Sequence, residues 1–80
     1  MKAKVTVRLK NGVLDPQGVA VLHAAHSLEF KGIQEVRVGK IFDIDLGDIP
    51  SEGVKETLEQ LSKKLLANPV IENFEVEILN

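Results

Sequence analysis

Val5, Val7 and Leu9 alternate with Lys4, Thr6, Arg8 and Lys10 across residues 3–10, so this segment reads as a strand with one buried face. Asn11-Gly12 ends it. Asp15-Pro16 then has the form of a helix start, a carboxylate at the cap and a proline at the first helical position. From Val19 to Phe30 the apolar residues Val21, Ala24, Ala25 and Leu28 recur at helical spacing, and Gly32 is the expected stop.

Residues 35–47 are the most informative stretch. Val36, Val38, Phe42, Ile44 and Leu46 share even parity, and Glu35, Arg37, Asp43 and Asp45 share odd parity. A two-residue hairpin at Gly39-Lys40 would set Val36 opposite Asp43 and place a carboxylate on the apolar face. Unbroken parity favours one long strand with Gly39 as a bend or bulge. Thirteen residues at about 3.3 Å each span roughly 43 Å. The first strand manages about eight residues, so the second is expected to overhang its own sheet and to pair with another chain.

Ile49-Pro50-Ser51 breaks that strand, and Ser51 is expected to cap a second helix running to about Leu66. Val54, Leu58, Leu61 and Leu65 step by four, three and four residues and define its buried stripe, while Lys55, Glu56, Glu59 and Lys63 take the other side. Asn68-Pro69 ends the helix, and residues 70–79 resume alternation with Phe74, Val76 and Ile78 inward. The order β-α-β-α-β predicts an α+β, two-layer sandwich with helices over one face of a small sheet.

Eighty residues make a single domain, 1–80, and with no cysteine there is no disulfide to stabilise it. Two histidines without thiolates argue against structural zinc. A well-patterned core or association with other chains is left to hold the fold. The net charge of −2, without a Lys/Arg run, argues against nucleic acid. No apolar stretch approaches the roughly 20 residues of a membrane span, and Met1–Lys10 lacks a signal-peptide apolar region, so the expected location is the cytoplasm.

Candidate chemistry is thin. His23, His26 and Glu29 have the composition of a two-His-one-carboxylate metal set, but i and i+3 differ by about 60° on a helix and i and i+6 by about 120°. All three cannot converge on one ion, so they read as polar residues on an exposed flank. Asp43, Asp45 and Asp48 lack the glycine placement and closing glutamate of a calcium loop. Gly39-Lys40 lacks the flanking glycines of a phosphate loop. Lys40 is the only charge at an apolar-parity position of its strand and is therefore expected at an interface, since an unpaired buried ammonium is costly. The hydroxyls of Thr6, Ser27, Ser51 and Thr57 have no placed base. Glu75 and Glu77 fall at solvent-facing positions. The chain reads as a structural or binding module, with no catalytic, cofactor-binding or metal-ligating residue assigned.

Three spaced motifs carry more than periodicity does. Lys10-Asn11-Gly12-Val13-Leu14-Asp15-Pro16-Gln17-Gly18, then Val36-Arg37-Val38-Gly39-Lys40, then Leu65-Leu66-Ala67-Asn68-Pro69-Val70-Ile71-Glu72 closely resemble the PurS family, the small subunits of bacterial and archaeal phosphoribosylformylglycinamidine (FGAM) synthase. The resemblance runs end to end. It implies a fold related to the ferredoxin-like sandwich, with an antiparallel sheet extended across a dimer, and a homo-dimer or tetramer in solution. It implies a non-catalytic subunit that joins a glutaminase subunit to a large synthase subunit in the fourth step of purine synthesis, aiding ammonia transfer. ATP, Mg and glutamine would be used by those other subunits, and no cofactor would be bound by this one.

By the same resemblance, Arg37, Gly39, Lys40 and Ile41 are expected at the protomer junction. Gln17 and Gly18 are expected to serve close packing or contact, and Asn68 and Pro69 to form either a helix terminator or a partner-facing loop. The alternative is an ACT-like small-molecule-binding regulatory module, in which Gly12 and Gly18 would be the candidate ligand contacts. A phosphatase of similar fold ranks third, because neither Arg8 nor Arg37 follows an anion-cradling loop.

Overall fold

The computed structural model describes residues 1–79. Five segments form in the order expected: β1 (Lys2–Leu9), α1 (Pro16–Ser27), β2 (Gly39–Asp45), α2 (Val54–Leu61), continued by a π turn (Ser62–Leu66), and β3 (Glu72–Leu79). The sheet is antiparallel throughout, in the order β2-β1-β3. Lys4 faces Asp43 on one side and Glu77 on the other, while Val5 stands between Phe42 and Val76 on the opposite face. Period-two alternation therefore sorts charge from core as the sequence implies.

The core has two adjoining parts. Ala3, Val54 and Leu58 form one, with Ile44, Leu46, Leu61 and Val76 packed around them. Val5, Val7 and Ala67 form the other, with Phe42, Leu66 and Phe74 alongside. The long helix is not α-helical to its end. Five residues take the wider π turn, which rotates everything after Leu61 relative to an ideal helix. Leu65, expected on the buried stripe, is 73% exposed as a result, and Leu66 and Ala67 face the sheet instead. Ser51 does not cap this helix. Gly53, at φ 75°, holds the cap position, and only the Ser51 carbonyl engages, accepting from the Val54 N–H at 3.3 Å.

The second strand runs through Gly39-Lys40 without a hairpin, as parity requires, but its ladder covers only Gly39–Asp45. Residues 35–38 have no rung among the described residues. The reason lies in the connection between β1 and β2. Because these neighbours are antiparallel, residues 10–38 leave one end of the sheet and return to the same end rather than crossing over it. They form an arm: α1 goes out, residues 28–38 come back. Molecular extents of 50 × 26 × 15 Å and a radius of gyration of 16.2 Å record this, against about 12 Å for a compact chain of this length.

Within the arm α1 is nearly bare, so only α2 covers the sheet, where two helices were expected. Gly18 is the single buried residue of α1, with Leu22 and Ala25 half-buried on the same side. Val21, Ala24 and Leu28, on the expected apolar stripe, are exposed. Gly32 is not the stop. Leu28 is the C-cap, Glu29 takes the left-handed conformation at φ 72°, and the Phe30 N–H bonds the Ala25 carbonyl at 3.0 Å.

Candidate functional site

The base of the arm is held by reciprocal bonds between the loop after β1 and the segment entering β2. Asp15 caps α1 by accepting from the Gly18 N–H at 2.9 Å, and its second oxygen accepts from the Val38 N–H at 2.6 Å. In the opposite direction, the Arg37 guanidinium donates to the Val13 carbonyl at 2.9 Å and the Lys10 carbonyl at 3.2 Å. Asp15 is only 5% exposed. The Val38 and Gly18 amides, helped by the charge of Arg37, hold its carboxyl below the usual carboxylate range.

Gly18 belongs to the same joint. A Cβ there would stand 2.0 Å from the Val36 carbonyl oxygen. Its N–H is already spent on Asp15, so neither its amide nor its surface is open to a ligand of the ACT type. Gln17 is exposed at the joint, beside Gly39 and Lys40. Arg37, Gly39, Lys40 and Ile41 lie on β2 and the segment that enters it. With Thr6, Arg8 and Asn11 these residues line a cavity of about 410 Å³ at the end of the sheet. Lys40 lies opposite Val7 on the core-side parity but remains exposed, with its ammonium 5.8 Å from the centre of the Phe42 ring.

Asn68 and Pro69 stand apart from this group. Asn68 closes the turn into β3: its side chain accepts from the Val70 N–H, its carbonyl from Ile71 and Glu72, and its own N–H donates to Glu72 Oε1 at 2.6 Å. That accounts for the asparagine as a turn residue, while Pro69 borders a shallow cavity with Lys10, Lys63 and Phe74.

Neither the His23, His26 and Glu29 set nor the three aspartates gather around one point. His26 Nε2 bonds the Ile33 carbonyl at 2.8 Å, bracing the arm's return, and among the described residues no three His, Asp or Glu side chains group as metal ligands. Asp43 and Asp45 face Lys4 and Lys2 in the ladder, and Asp45 accepts from the Gly47 N–H. Ser62, which the sequence reading passes over, is the fully buried hydroxyl, and it is spent on the Leu58 carbonyl at 2.7 Å. Arg8 and Asn11 are the other omissions. The register places Arg8 opposite Gly39, a pairing that no local pattern reveals. Among the described residues no helix is long and apolar enough to cross a membrane.

Known proteins place this architecture. The profile of the family PurS: Phosphoribosylformylglycinamidine (FGAM) synthase matches residues 2–80. The chain is 43% identical over 77 residues to phosphoribosylformylglycinamidine synthase subunit PurS of Methanocaldococcus jannaschii, covering 96% of this chain and 93% of that one. It is similar in structure to Bacillus subtilis PurS, with a TM-score of 0.89 at 40% identity over 99% of this chain and 98% of the other. It also superposes on a chain of PurLQS from Thermotoga maritima, with a TM-score of 0.84 at 26% identity over 98% of this chain and 95% of that one. The likeness extends over nearly the whole length of each of these proteins, and the chain belongs to the PurS family.

Proposed function

We propose that this chain is the small bridging subunit of an FGAM synthase, acting in the cytoplasm in purine biosynthesis. It would have no catalysis of its own and would hold the glutaminase and the ATP-dependent synthase subunits together so that ammonia passes between them. ATP, Mg and glutamine belong, on this reading, to those partners. The observation that carries the proposal is the full-length likeness to a chain of PurLQS from Thermotoga maritima.

The shape supports it. Leu28 and Phe30 at the arm's far end are 70% and 59% exposed, and Val21 is open as well. A helix apolar on two sides belongs in an interior. A second copy of the chain supplies one by pairing along residues 35–38, where the ladder is empty, and covering α1; the antiparallel sheet would then continue across a dimer.

Reconstitution tests this. Omitting the chain should abolish glutamine-dependent FGAM formation by the two large subunits and spare the ammonia-dependent reaction. Full glutamine-dependent activity in its absence would overturn the proposal. Light scattering on the isolated chain should give a dimer or tetramer, and a monomer would remove the assembly reading.

A further inference from the structure

On the outer face of the sheet the lysines of β1 have carboxylates directly opposite them, and Arg8 does not. Lys2 faces Asp45, and Lys4 lies between Asp43 and Glu77. Arg8 has Gly39 on one side and Asn73 on the other, with no carboxylate directly opposite. Its nearest acid by register is Glu75, diagonal to it on the β3 side. The Arg8 side chain leans the other way: its Cγ lies 3.0 Å from where a Cβ on Gly39 would be, so the missing side chain of Gly39 is its seat. Arg37 comes next along the same parity as Gly39. Two guanidinium groups thus share one end of the face, and neighbouring like charges across strands are unfavourable unless a counter-charge sits between them.

The cavity these residues border has no carboxylate in its lining, and Thr6 and Asn11 line it as well, whereas the Lys40 ammonium turns to the other face, over the Phe42 ring. Lys40 and Arg8 also border the adjoining cavity that holds Asp15 and Glu72, but Asp15 is committed to two backbone amides. Arg37 is held by two carbonyls, which fixes its plane and leaves its other N–H groups free. A planar guanidinium fork held in place, with a second arginine and neutral hydrogen-bonding groups beside it, matches a tetrahedral oxyanion. The geometry points to a binding site for a phosphoryl group, formed by Arg8 and Arg37 with Thr6 and Asn11. Arg37 belongs to the segment proposed above to pair with a second copy, so the site lies beside that junction.

The test is titration of the full-length chain with inorganic phosphate and, separately, glycerol 3-phosphate at constant ionic strength, followed by ¹H–¹⁵N NMR. Saturable shifts confined to Gly39, Lys40 and the Arg8 and Arg37 side-chain N–H groups are expected. Arg8→Gln should weaken binding by about tenfold, the size of one charge-assisted hydrogen bond, while Lys2→Gln changes nothing. Tighter binding of the ester assigns the site to phosphomonoesters, and equal binding assigns it to free phosphate. Shifts that grow linearly, or that spread equally over the surface lysines, would overturn the site. So would phosphate that dissociates the assembly by light scattering, since the cavity would then be holding a partner's carboxylate.

Discussion

Replacing Gly18 with alanine sets two rules against each other. In an exposed helix the change stabilises by about 1 kcal/mol, because alanine restricts the unfolded chain and favours helical backbone. At this position the new methyl meets the Val36 carbonyl oxygen at 2.0 Å and the carbonyl carbon at 2.9 Å. Ordinary contact begins near 3.4 Å, so the returning segment must retreat by about 1.4 Å. Backbone cannot yield as a flexible side chain can, and the retreat pulls Val38 away from Asp15, whose bond is only 2.6 Å long. Overpacking of this kind costs about 1–3 kcal/mol, which exceeds the propensity gain. Urea unfolding of Gly18→Ala should therefore give a lower midpoint than wild type, and the Val38 amide should lose protection from hydrogen exchange. A variant as stable as the parent, with Val38 still protected, would refute the close approach of α1 to residues 36–38 and with it the description of the joint.

Other outcomes follow from the same structure. Leu58→Ala, at a position 1% exposed in the centre of the first core cluster, should cost about 2–5 kcal/mol, comparable with the whole stability of a small domain, so circular dichroism should show loss of folding. The depressed carboxyl of Asp15 contributes stability that is present above its unfolded value of 3.8 and lost as pH falls through the folded value. Urea midpoints should consequently fall below about pH 4, and Asp15→Asn should be weaker at pH 7 with a flatter acid limb; an unchanged limb would contradict this. Glu29→Gly should raise the melting temperature, because a left-handed residue with a Cβ costs about 1–2 kcal/mol that glycine avoids. Phe30→Glu should leave the circular dichroism spectrum intact and lower the mass measured by light scattering, whereas an unchanged mass would leave α1 without its proposed cover.

The strands were legible because a period of two is local: Val5, Val7, Phe42, Ile44, Phe74 and Val76 declare their face within a few residues. The same parity excluded the hairpin at Gly39. What pairs with what is a long-range fact, so nothing local could say that residues 10–38 go out and come back. Residues 35–38, expected within a thirteen-residue strand, precede a strand that begins only at Gly39; side-chain bonds from Asp15 and Arg37 hold them, and these were hidden behind an ordinary cap and an ordinary solvent-facing arginine. Leu65 was misplaced because the stripe was continued at 3.6 residues per turn through a segment that winds more widely. The candidate interface residues came from resemblance, since no local pattern singles out Gln17, Gly18, Asn68 or Pro69.

The arm departs beside Arg8 and returns beside Gly39, two residues already facing each other in the ladder. Its length is therefore decoupled from the strand pairing. Whole helical turns could be inserted or removed in α1, with matching residues on the return, without shifting one rung between β1 and β2. A lineage can adjust how far such a spacer extends while the part that makes it fold stays untouched.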